Sequence, residues 1–75
     1  MNEYVEINSK ICNGRPVVAG TRIPVTVVLD QLSVVKSISE LLRLYPELSE
    51  DQIIGVLQYC HSVIEHTEFE PELVS

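Results

Sequence analysis

The side chains of this chain that could make or break bonds are Cys12, Cys60, His61 and His66 together with its carboxylates. His61 and His66 stand five positions apart, which on a helix turns them about 140° from one another. That is not the four-residue spacing of a zinc-binding helix, and no Glu fills the place it takes in HExxH. Cys60 and His61 are adjacent and diverge on a helix, so they make a poor nucleophile and base pair. Glu65 lies one helical turn beyond His61, a spacing typical of surface contacts. No set of acid, base and nucleophile emerges. The expectation is a protein without catalytic residues, without metal and without cofactor.

The stretch GRPVVAGTRIPV (14–25) carries the other candidate chemistry, with Gly14, Arg15, Pro16, Gly20, Thr21 and Arg22. It fails as a phosphate-cradling P-loop, because no Lys-Ser/Thr pair follows the second glycine and the glycine spacing is wrong. It also fails as a dinucleotide fingerprint, since no glycine triplet opens a helix after a strand. A structural clip accounts for it better. Gly14 and Gly20 supply turn geometry, Pro16 stiffens the chain between them, and Thr21 can hydrogen-bond across the turn or toward the next helix. A partner-binding arm is compatible with such a clip. Arg15 and Arg22 offer rigid forks for carboxylate or phosphate. Pairing of Arg22 with an acidic residue of its own chain or of a dimer mate is one reading. Nucleic-acid contact through Lys10, Arg15 and Arg22 is another, and a protein partner is the third.

The chain has 75 residues and a net charge of -6. One domain spanning 1–75 is all that this length allows, and a chain so short buries only about 60% of its unfolded surface. Apolar residues make up 45% of it, but Phe69 is the only phenylalanine and there is no tryptophan. The core must come from Val, Ile and Leu, and a homodimer would add burial that one chain lacks. Residues 1–36 carry a net +1 and residues 37–75 a net -7. The acidic half repels nucleic-acid phosphates and suits a basic protein partner. No leader or membrane-length apolar run is evident. Two cysteines make no disulfide framework. A reducing cytoplasm and no membrane association are therefore expected.

The elements that must position these residues form an N-terminal β arm (1–23), a three-helix core (24–67) and an acidic tail (68–75). EYVEI (3–7) alternates like a half-buried strand, with Tyr4 on the polar phase. Asn13-Gly14 marks a turn. Val17-Val18 and Thr21-Arg22-Ile23 read as a small hairpin. Pro24 suits the first helical position. Val25, Val28, Leu29, Leu32 and Val35 then recur at helical spacing, although the β-branched run VTVV argues for strand. Ser37 with Glu40 and Ser49 with Gln52 read as capping boxes. Pro46 ends the second helix. The last helix should run from about 49 to 67, with Ile53, Val56, Leu57, Cys60, Val63 and Ile64 as its buried stripe. Gly55 inside it invites a close helix crossing. The tail EFEPELVS is expected to be loose or ordered by a partner.

This pattern predicts a mainly α fold: short N-terminal strands or a hairpin arm, then a trihelical helix-turn-helix core. Base reading by the last helix is the first thought for that layout. Residues 49–66 contain no Lys or Arg, however, so nothing there would hold the phosphates. DNA contact would have to come from the N-terminal arm, a dimer's combined surface or a basic partner.

The segments ICNGRPVVAGTRIPV (11–25), SISELLRLYPELSEDQI (37–53) and the following VLQYC resemble the DUF433 family of small prokaryotic proteins. The resemblance covers roughly residues 5 to 64, and its pattern of C-x-G-x-P-x-x-x-G-T-R followed by Y-P-x-L is specific. It implies a homeodomain-like or winged-helix-like core. The family's signature positions fall on Gly14, Pro16, Gly20, Thr21, Arg22, Tyr45, Pro46 and Leu48. Many members resemble antitoxins encoded beside a PIN-like ribonuclease toxin of the DUF5615 kind. The implied role is a noncatalytic inhibitor that masks such a toxin, and the alternative is a dimeric DNA-binding regulator, such as an autorepressor of its operon. On the first reading Tyr59, Phe69 and Leu73 are candidate apolar anchors, and Glu65, Glu68, Glu70 and Glu72 steer a basic partner. One departure is Val35, where the family usually has glycine between its first two core helices.

Overall fold

The computed structural model describes residues 3–67. Strands β1 (Val5–Glu6) and β2 (Val17–Val18) precede helices α1 (Val25–Val35), α2 (Ile38–Leu44) and α3 (Glu50–Glu65). This is the mainly α, helix-turn-helix-like fold with an N-terminal strand arm that the sequence pattern predicts. The tail residues Glu68, Phe69, Glu70, Glu72 and Leu73 lie outside the described residues.

The arm is more interlocked than a single hairpin. β1 pairs antiparallel with β2, with Val5 opposite Val18. On its other edge β2 is met by the returning chain, where Val18 N–H donates to the Ile23 carbonyl at 2.9 Å and Val17 bridges to Pro24. The connection between the strands turns through three successive left-handed residues, Cys12, Asn13 and Gly14. Asn and Gly tolerate that region, and this is why Asn13-Gly14 is a readable turn signal. β1 is shorter than the alternation of 3–7 suggests, and Ile7 is exposed rather than buried. Tyr4 instead turns inward and packs on α3.

Pro24 is the N-cap of α1 and not its first helical residue, with an extended ψ of 145°. The Pro16 carbonyl receives the Val25 N–H at 2.9 Å, so the stretch between Pro16 and Val25 closes on itself as a clip. The β-branched run is helical, overriding its local preference, because Val25 and Val28 are buried in the core. Lys36, not Val35, takes the left-handed C-cap conformation, with φ of 68°. The helix therefore stops after Val35 without needing glycine there. Ser37 caps α2 by accepting the Glu40 N–H at 3.1 Å. The Glu40 carboxylate pairs with Arg43 at 3.1 Å rather than closing a capping box. At α3 the box does form: Ser49 Oγ accepts the Gln52 N–H, and Gln52 Oε1 accepts the Ser49 N–H at 2.7 Å.

The core is assembled from the arm and all three helices: Val5, Val18, Val25, Val28, Leu41, Leu48, Ile53 and Val56. Among the described residues no aromatic side chain is fully buried in it, although Tyr45 and Tyr59 pack against it. Gly55 is buried, and the chain that approaches it is the arm and not another helix. A Cβ at Gly55 would overlap the Tyr4 side chain, lying 2.6 Å from its Cβ. The stripe expected along α3 is buried only in its first half. Leu57, Val63 and Ile64 are exposed at 37, 46 and 60%.

Candidate partner-binding surface

The signature turn after β2 is fixed by short hydrogen bonds. Gly20 has a φ of +80°, and nothing lies within 4 Å of where its Cβ would be. The residue is needed for backbone conformation rather than for space. Thr21 holds the turn from inside, since its hydroxyl donates to the Val18 carbonyl at 2.7 Å and accepts the Ile23 N–H at 3.0 Å. Cys12 braces the outside, its thiol donating to the Arg22 carbonyl at 3.4 Å. Glu6 of β1 accepts the Gly20 N–H at 3.5 Å. The backbone of Arg22 is thus held while its side chain stays exposed.

This turn forms one wall of an open cleft of about 740 Å³. Glu6, Ile11 and residues 19–23 line it from the arm, Glu47 from the α2–α3 connection and Gln52 from the first turn of α3. The two most specific sequence segments, GTR and YPEL, therefore meet on one concave surface. Ile11, Ala19 and Ile23 give it an apolar lining, while Arg22, Glu6 and Glu47 give it charge. Among the described residues Arg22 has no ion-pair partner; the ion pairs there are Arg43–Glu40 and His61–Glu65. A cleft lined by one guanidinium and two carboxylates is poorly suited to phosphate, because its net charge is negative. It suits a protein segment that carries both signs.

The other signature residues build the frame. The Gly14 N–H closes onto the Ile11 carbonyl at 3.0 Å. Pro16 makes the clip to α1. Tyr45 ends α2, and its carbonyl accepts the Leu48 N–H at 3.0 Å, so that Pro46 and Glu47 project while Leu48 is buried. Lys10 and Arg15 are exposed and do not line the cleft. Glu6 and Glu47 belong to it although sequence reasoning passed over them, and so does Gln52, which that reasoning placed in a capping box. The signal for Glu47 was its position inside the YPEL motif.

A second concavity, of about 260 Å³, lies between the start of α1 and the second half of α3. Val25, Thr26, Leu29, Tyr59, Cys60, Val63 and Ile64 line it, and none of them is charged. Tyr59 belongs here and not to the cleft. Burial pushes the Cys60 thiol above the ordinary range. Glu65 pairs with His61 at 3.4 Å on the exposed side of α3. The His66 ring is bonded through Nδ1 to the Ser62 carbonyl of its own helix at 2.7 Å. Both cysteines are free thiols. Among the described residues no three His, Cys, Asp or Glu side chains are grouped to hold a metal, and no helix is long and apolar enough to cross a membrane.

Fold and site together define a small helical module that holds out an arm-built cleft of mixed charge. Residues 5–60 match the model of DUF433, described as a protein family of unknown function, and the chain belongs to that family. Neither the curated proteins nor the solved structures yield a match.

Proposed function

We propose that this chain is a noncatalytic interaction protein, an antitoxin-like partner that binds and inhibits a PIN-like ribonuclease of the DUF5615 kind. The observation that carries the reading is the convergence of GTR and YPEL on one open, charged cleft. A frame this constrained, with its charged side chains left without ion pairs among the described residues, is suited to receiving a second macromolecule. The exposed acids at the start of α3, Glu50 and Asp51, extend a field that attracts the basic rim of an RNA-cleaving enzyme. A direct DNA reader is less well served. α3 offers no Lys or Arg, and Arg22 sits beside Glu6 and Glu47.

Co-expression with the product of the adjacent gene, followed by pull-down and a ribonuclease assay, tests the proposal. The complex should form and suppress cleavage. Arg22→Ala and Glu47→Ala should each weaken it by about 30-fold, the effect of removing a contact worth roughly 2 kcal/mol. Failure of any neighbouring product to bind would remove the reading. A gel shift with upstream DNA by the isolated chain, abolished by Arg15→Ala and Arg22→Ala and steeply salt-dependent, would favour the regulator instead.

A further inference from the structure

Asn13 is followed by Gly14, and that pair carries a reaction of its own. The backbone nitrogen of Gly14 can attack the side-chain carbonyl carbon of Asn13. The N–Cγ bond forms, the Cγ–Nδ2 bond breaks, and the Gly14 amide proton leaves with Nδ2 as ammonia. The product is a five-membered succinimide. Water then opens the ring at either carbonyl, leaving an aspartyl or an isoaspartyl residue at position 13. Nothing is oxidised or reduced, and water is the only co-reactant. Glycine eases the attack because no side chain crowds its nitrogen, and Asn13 is exposed to solvent. The folded turn opposes the same step twice. The Gly14 N–H is held by the Ile11 carbonyl at 3.0 Å, so the nitrogen does not readily shed its proton. Ring closure also needs Cβ of Asn13 and the Gly14 nitrogen eclipsed about the Cα–C bond. At the observed Asn13 ψ of 33° they lie nearly opposite one another.

We propose that Asn13-Gly14 is a gated deamidation site, closed while the arm's turn is folded and reactive each time that turn opens. The gate is local. None of Cys12, Asn13 and Gly14 is buried, so the turn opens without exposing the core, at less cost than unfolding the chain. Cys12 and Asn13 both hold a positive φ, 51° and 58°, which strains a residue that is not glycine. The product does not fit the turn it came from. An isoaspartyl residue carries the main chain through Cβ and inserts one extra backbone atom. That atom falls between the partners of two short bonds, Gly14 N–H to Ile11 and Arg15 N–H to Cys12 at 3.1 Å. The damage reaches the cleft, because Ile11 lines it and the Cys12 thiol braces the Arg22 carbonyl. A fresh chain thus presents the cleft and an aged chain loses one of its walls. The proposal concerns the arm alone and stands whether or not a PIN-like nuclease is the partner.

The test is to age the full chain in mildly alkaline buffer, with and without about 8 M urea. Peptide mapping by mass spectrometry separates position 13 from Asn2 and Asn8. In urea the position 13 peptide should gain the mass that separates an acid from an amide, with isoaspartate among the products. The folded chain should give the same product about 10- to 100-fold more slowly, since only its open fraction reacts. Cys12→Val places a β-branched residue at a φ of 51° and should speed the folded chain's reaction by at least about fivefold, leaving the rate in urea unchanged. Ser49→Ala weakens the cap of α3 and not the turn, so it should change neither rate. The aged chain, separated by its added negative charge, should melt below the fresh one. Equal rates in buffer and urea overturn the proposal, as does a position 13 that stays intact in either. So does an acceleration by Ser49→Ala as large as that by Cys12→Val, which would mean that the whole chain must unfold. An aged chain that melts with the fresh one overturns the loss of the turn. Should Cys12→Val fail to fold, the rates of the natural chain and of Ser49→Ala still decide.

Discussion

Replacing Gly55 by alanine should destabilise this protein, although helix propensity alone predicts a gain of about 1 kcal/mol. The added Cβ would stand 2.6 Å from Tyr4 Cβ, where apolar carbons prefer about 3.5–4.0 Å. α3 is fixed on that side by Ile53 and Val56, so the arm must move. If displacing Tyr4 returns about 100 Å² of apolar surface to water, the loss is roughly 2.5 kcal/mol. The net cost is then about 1–2 kcal/mol, or a fall in melting temperature of about 4–8 °C per kcal/mol for a domain of this size. The partner change is Tyr4→Gly, not Tyr4→Ala, because alanine would keep the offending Cβ. In the Tyr4→Gly background, Gly55→Ala should stabilise by about 1 kcal/mol, reversing sign. Urea titrations of the four proteins, at one concentration, give the coupling. A rise in stability for Gly55→Ala alone, or the same sign in both backgrounds, would refute the close approach of arm and helix.

Lys36→Gly should stabilise by about 0.5–1 kcal/mol in the same titrations, because Lys36 holds a φ of 68° that glycine adopts without strain. Ser49→Ala should cost about 1 kcal/mol by removing the N-cap of α3. Cys60 is protonated more firmly in the folded chain than in the unfolded one. Its contribution to stability is present below the unfolded thiol pKa and is lost as pH rises through that value toward the folded one. Cys60→Ser should flatten this alkaline loss, measured as melting temperature against pH.

Much of the fold was legible because local signals agreed with tertiary ones. Ser49 and Gln52 announced α3, Pro46 ended α2, and Asn13-Gly14 placed the arm's turn. The reading failed where a distant contact decided the outcome. Nothing near Tyr4 says that it will face Gly55, so it looked polar in the alternation of residues 3–7. Pro24 became a cap because the Pro16 carbonyl and Val17 hold the chain extended up to Val25. Arg22, Gly20 and Thr21 were visible as candidate site residues. Their neighbours Glu6 and Glu47 were not, since only folding sets them beside the turn. The expected burial of Leu57, Val63 and Ile64 assumed that helical period implies cover, and a helix longer than its support breaks that assumption.

The cleft has no continuous stretch of chain as its source. Glu6 comes from the first strand, Arg22 from the clip, and Glu47 from a connection between helices. A synthetic peptide spanning the GTR motif would therefore lack two of the three charges and the geometry that aligns them. Whatever engages this surface distinguishes the native polypeptide from its denatured form, and fraying of the first few residues would switch recognition off before the helices melt.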